Sequence, residues 1–210
     1  MANYSITITI DEETYTKMNS TGTRLCFASA VASGKKDAFN VVAYTTTVSD
    51  INTISWTDTY FISATKSKPS NGVKFKAQTT PAKIEFGETY TLTENWKGKT
   101  PTNDGKAPTS GFCFENQTDG ASAIIYKMVE GNMSPIYISA NGPLLPGTET
   151  LIPKPCCKIW FAKEVETNAF VDTYQSVPKD IDLTDLESVD LHYSVTGKWH
   201  VEKEHKRPKH

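Results

Sequence analysis

Period-two hydrophobicity, closely spaced turn residues and the scarcity of helical periodicity predict an all-β chain, an antiparallel β-sandwich of about ten to eleven strands. Ile6, Ile8 and Ile10 alternate with Thr7 and Thr9, as in a strand with one apolar and one wet face. Asp11–Met18 is long enough for one helical turn only. Arg24–Ser33 reads as a small-residue strand ending at Gly34, and Phe39–Val48 and Ile54–Ser63 are rich in β-branched and aromatic residues. Val73, Phe75 and Ala77 alternate with Lys74 and Lys76, and Lys83–Thr93 repeats the pattern with a kink at Gly87. Phe112–Phe114, Ala123–Val129, Pro135–Ser139, Cys156–Val165, Val189–Val195 and Trp199–Glu204 complete the set, with a second helical turn at Leu183–Val189.

Turn-forming clusters separate these segments: Ser70-Asn71-Gly72, Asn103-Asp104-Gly105, Asp119-Gly120, Glu130-Gly131-Asn132, Asn141-Gly142-Pro143, Pro146-Gly147 and Thr196-Gly197. No fixed-period repeat appears, which speaks against a propeller or solenoid. Strands without long helices leave a sandwich or a barrel, of which the sandwich is preferred. Residues 1–203 are expected to form one domain. The basic stretch that follows, residues 204–210, reads as a frayed, solvated tail.

The 210-residue chain carries 22 Lys and Arg against 24 Asp and Glu, a formal net charge of −2. Nucleic-acid binding needs clustered cations and is not expected. The start of the chain lacks a basic region followed by an apolar run, so no signal peptide is expected and the location is expected to be cytoplasmic. The sequons at Asn3, Asn19, Asn116 and Asn132 are discounted on that ground, and Cys26, Cys113, Cys156 and Cys157 should be free thiols. Adjacent strand residues face opposite ways, so one of Cys156 and Cys157 should be buried and the other outward.

Enzyme signatures are missing. There is no Gly-x-Ser-x-Gly elbow, phosphate loop or dinucleotide fingerprint, and no Cys-x-x-Cys or His-x-x-x-His pair with zinc-ligand spacing. All four histidines, His192, His200, His205 and His210, crowd the C-terminal end. His192 and His200 read as a cross-strand pair of a terminal hairpin rather than half of a metal site. Asp180, Asp182, Asp185, Glu187 and Asp190 lack the glycine and spacing of a calcium loop. The expectation is a protein with neither catalytic nor metal-ligating residues.

Aromatic residues in strands remain. Alternation splits Tyr60 from Phe61 and Trp160 from Phe161, leaving one member of each pair partly exposed. Pro153–Phe161 combines two stiffening prolines, two thiols, two cations and two aromatics. Such a lining suits a flat, partly anionic molecule. Lys154, Cys157, Lys158 and Trp160, with Trp56 and Tyr137, are therefore the expected ligand-binding residues.

The Gly87-Glu88-Thr89-Tyr90-Thr91-Leu92 and Ser134-Pro135-Ile136-Tyr137-Ile138-Ser139 blocks, in an Asn/Ser/Thr-rich all-β chain, resemble the β-sandwich proteins of mushroom fruiting bodies. That group includes actinoporin-like lectins, pore-forming cytolysins and, nearest in texture, the pink chromoprotein of oyster-type mushrooms. The resemblance implies a homodimeric carrier of a non-covalent organic chromophore, with a sugar- or lipid-binding lectin-like module as the alternative. Residues 11–18 are too short and polar for a membrane-inserting helix, so a membrane partner is not expected.

Overall fold

The computed structural model describes residues 3–34, 36–139 and 144–208. The expected turn at Asn141-Gly142-Pro143 and the last two tail residues lie outside them. Among the described residues the strands are β1 (Asn3–Ile10), β2 (Thr23–Ser33), β3 (Lys36–Ala38), β4 (Tyr44–Thr47), β5 (Ile51–Thr65), β6 (Ala82–Ile84) and β7 (Thr89–Leu92). They continue as β8 (Phe112–Asn116), β9 (Ser122–Val129), β10 (Asn132–Ile138), β11 (Gly147–Lys163), β12 (Lys179–Asp182), β13 (Leu186–Tyr193) and β14 (Trp199–Lys206), with one helix, α1 (Glu12–Ser20). None of the described helices is long and apolar enough to cross a membrane.

Two seven-stranded sheets result. One runs β10-β9-β5-β1-β13-β14, with β6 beside β5; the other runs β3-β2-β11-β8-β7, with β12 beside β11 and β4 beside β2. The chain is thus mostly β in two sheets, but fourteen strands replace the expected ten to eleven, and the pairing is mixed. β1 lies parallel to β13 and β7 parallel to β8. Short strands account for much of the difference. Lys83–Thr93 divides at Gly87 into β6 and β7, which join different sheets, and β12 takes in the start of the acidic stretch, Asp180 and Asp182.

Alternation builds the common core. Ile6, Ile8 and Ile10 of β1 are buried with Ile54 and Ile62 of β5, and these meet Leu25, Phe27, Ile159 and Phe161 from the other sheet. Burying a side chain of this size contributes about 2 kcal/mol.

Both outer faces are also partly covered. Val42, Ala169 and Val171 pack over Cys26, Ala28 and Trp160, while Val41 and Phe170, with Phe75 and Ala77, cover Ile124, Tyr126 and Ile138. This explains two expectations that fail. Phe39–Ala43 and Val73–Ala77 are apolar because they cap sheet faces, held by single bridges such as Val41 to Phe170 and Lys74 to Ala169, not because they are strands. Trp160, expected to compete for the exposed position with Phe161, is only 1% exposed.

Two further corrections concern the C-terminal half. Leu183–Val189 is not helical, since Leu186 onward forms β13, paired on both sides with β1 and β14. The expected tail begins too early: Lys206 pairs with Leu186 in β14, and Arg207 donates its backbone N–H to Asp185 O at 3.0 Å. Helix α1 runs to Ser20, longer than one turn, yet buries no residue.

Candidate functional site

A buried lysine marks the chemical centre of the molecule. The inward positions of β9 are Ala123, Ile125, Lys127 and Val129, so alternation sends Lys127 into the core among aliphatic neighbours. Its side chain is 2% exposed, and Nζ lies 3.2 Å from Asp58 Oδ1. Three rings surround the ammonium, with centroids at 5.6 Å for Tyr4, 6.0 Å for Trp56 and 5.2 Å for Tyr60. Desolvation by burial lowers the Lys127 pKa and Asp58 opposes that shift.

A strand irregularity positions Asp58. β5 pairs in sequence with β9 up to Thr57, then resumes at Tyr60, so Asp58 and Thr59 bulge from the ladder. Asp58 accepts hydrogen bonds from the hydroxyls of Tyr60 (2.9 Å, Oδ1) and Tyr4 (3.0 Å, Oδ2). Trp56 stacks on Tyr4, directly across the β1–β5 ladder, at 5.7 Å and 9°. The phenols of Tyr4 and Tyr60 are both held above their ordinary value, first by burial and then by the Asp58 charge.

This cluster forms the back wall of a surface cleft of about 290 Å³, lined by Tyr4, Asp58, Tyr60, Phe86, Lys154 and Arg207 among others. A neighbouring cleft of about 390 Å³ shares Asp58, Tyr60 and Phe86. Phe86 is 46% exposed and joins Tyr60 and Phe112 in a ring cluster with centroids 5.3–5.5 Å apart. Arg207 lies with Cζ 4.4 Å from the Tyr4 centroid. Its Nε donates to Leu186 O at 3.0 Å, and it makes no ion pair among the described residues.

The six expected residues do not converge. β11 slips against β2 between Pro153 and Cys157, advancing four residues while β2 advances two. Prolines cannot donate to the ladder, and the slip turns Lys154 toward the cleft. Cys157 points into the core, where burial pushes its thiol up and Lys127 partly offsets that effect. Trp56, Lys154 and Cys157 thus surround or adjoin one centre.

Lys158 and Trp160 face the opposite side of the same sheet. Lys158 pairs with Asp180 and sits 4.6 Å from the Phe39 ring centroid, while Trp160 meets Tyr174 edge-on at 4.9 Å. Tyr137 is elsewhere again, fully buried, donating to Glu149 Oε1 at 2.7 Å. Strand alternation separates what sequence proximity suggested. Sequence reasoning missed Lys127, Asp58, Tyr4 and Arg207. A signal for Lys127 was present, because the apolar parity of Ala123, Ile125 and Val129 predicts an inward lysine.

The vicinal cysteines divide as expected, Cys157 buried and Cys156 half-buried, and all four thiols are free. His192 and His200 pair across the hairpin, rings 6.1 Å apart. Among the described residues no cluster of three or more His, Cys, Asp or Glu side chains is placed to hold a metal.

No protein-family model matches the chain, and neither a curated protein nor a solved structure matches it. The two blocks that carry the fruiting-body resemblance fall largely on core strands, with Tyr90 and Tyr137 buried, and neither lines the cleft.

Proposed function

We propose that the protein is a non-enzymatic β-sandwich carrier that holds a small, planar, partly anionic organic molecule without a covalent bond in the Tyr4–Tyr60–Phe86 cleft. The supporting observation is an aromatic wall beside the Arg207 guanidinium, which makes no ion pair among the described residues. Phe86 offers an exposed ring face to a flat ligand, and Arg207 can meet a carboxylate, sulfonate or phenolate in fork geometry. Lys154 and Arg207 line the cleft with Asp58 and Asp185, and Lys127 behind the wall neutralises Asp58, which leaves the two lining cations facing Asp185 alone. Lys127 keeps Asp58 paired and the phenols fixed, which gives the wall its rigidity. A catalytic role is not part of the proposal: burial pushes the Cys26 and Cys156 thiols up to about 12 and about 11, the reverse of an activated nucleophile.

The absorption spectrum of natively purified protein tests this reading. A band beyond the aromatic region that disappears in Arg207→Gln or Phe86→Ala supports it, and a featureless spectrum counts against a pigment. The alternative, sugar stacking on Phe86, predicts glycan-array hits that Phe86→Ala abolishes.

A further inference from the structure

The opposite end of the two sheets carries a second groove that the cleft does not involve. Helix α1 is pinned at both ends. At its start the Asp11 carboxylate accepts the backbone N–H of Val195 at 3.0 Å and contacts His192 Nε2 at 3.3 Å. At its end Asn19 Nδ2 donates to Val48 O at 2.6 Å. Between the pins the helix fully buries no residue, Tyr15 and Met18 packing half-buried against the core, and a groove of about 430 Å³ lies between α1, the end of β11 and the β13–β14 hairpin. Its size falls within the range that encloses small ligands.

The groove is amphipathic. Tyr193 lines it and rests on a packed aromatic base, with Phe161 stacked on Trp199 at 5.3 Å and Tyr193 at 4.8 Å and 4.6 Å from them. Met18 adds apolar surface from the helix. Val195, at the hairpin tip, is 61% exposed, an apolar side chain offered to solvent at the rim. Lys17 and Lys163 also line the groove and make no ion pair among the described residues; Glu13 is the one acid facing them. The Tyr193 hydroxyl has no hydrogen-bond partner among the described residues, and burial raises its pKa, so it stays a neutral donor.

We infer that this groove is a second binding site, for an amphiphilic monoanion of the medium-chain carboxylate class. The alkyl chain lies along Met18, Tyr193 and Val195, and the carboxylate sits between Lys17 and Lys163 with the Tyr193 hydroxyl as donor. Burial of the chain supplies the affinity, and the two ammonium groups select the charge of the head. Both lysines are near the surface, so rising salt weakens the complex.

Titration calorimetry of the full chain with decanoate tests the inference. Decanoate binds, decanol binds at least about tenfold more weakly, and Lys17→Gln/Lys163→Gln lowers decanoate affinity by about tenfold. These exposed lysines can be replaced without loss of fold, and Arg207→Gln, at the far cleft, leaves decanoate binding unchanged. Absence of decanoate binding, equal affinity for decanol, or indifference to the double substitution overturns the site. Loss of binding in Arg207→Gln also overturns it, by assigning the ligand to the aromatic cleft. Decanoate failing while the absorption band persists leaves the proposed carrier function standing, so the two readings fail separately.

Discussion

Lys127 and Asp58 show how much one buried pair demands of its surroundings. A lone ammonium in this core is costly, and the pair persists because Asp58 and three ring faces replace the lost water. Removing the carboxylate leaves the lysine buried and unpaired, so Asp58→Ala should destabilise the protein by about 3 kcal/mol in urea denaturation. Lys127→Met, which fills the same space without charge, should cost less than Lys127→Ala, which also opens a cavity. Thiol reactivity offers an independent check at this scale. Cys156 is half-buried, whereas Cys26 and Cys157 are shielded from solvent. A thiol-specific reagent should label Cys156 first in the native state and reach Cys26, Cys113 and Cys157 only after unfolding.

At the scale of elements, irregular strands make the site. The Asp58–Thr59 bulge of β5 and the proline-rich slip of β11 each interrupt a ladder and re-aim a polar side chain toward the same cleft. Regular alternation was legible in the sequence, which is why β1, β5, β9, β13 and β14 were anticipated from residues such as Ile6, Ile54 and Ile125. The Asp58–Thr59 bulge was not legible, because a two-residue insertion depends on the partner strand and leaves no local mark there, whereas Pro153 and Pro155 mark the β11 slip without fixing its size. Outer-face caps such as Val73–Ala77 imitate strands because covering a sheet face calls for the same alternation as joining one.

Tight packing between elements has its own signature at Gly111. A Cβ there would stand 2.4 Å from the backbone oxygen of Leu151 in β11, which cannot rotate away. Gly111→Ala should therefore cost about 2–3 kcal/mol by forcing the β8 and β11 strands apart. Circular dichroism melts would show the shift, and an unchanged transition would refute the close approach.

The whole molecule concentrates its unusual chemistry at the two ends of the sheets and its phenols inside. Tyr4, Tyr60, Tyr90 and Tyr126 are held above their ordinary value, mainly by burial, and Tyr174 is pushed up to about 12. The unfolded chain loses these protons near pH 10.0, while the folded chain keeps them. Their contribution to stability is therefore fully present below that pH and falls as pH rises through the folded values. Lys127 acts in the opposite sense, since its folded pKa lies below 10.5, so its protonation cost is relieved as pH rises toward that value. The phenols outnumber it. The urea midpoint should decline above pH 10, and Tyr60→Phe should flatten the decline while lowering stability at neutral pH by about 1 kcal/mol.

The two clefts differ in charge and shape: at one end an aromatic wall with the Arg207 guanidinium stacked on Tyr4, at the other an amphipathic groove lined by Lys17 and Lys163. The first carries the proposed function. A crystal structure of protein purified without stripping its small molecules tests it most directly. A flat molecule lying against Phe86 and Tyr60, with an anionic group on Arg207, is the predicted result. A bound molecule seated elsewhere, with this cleft holding only solvent, would contradict it.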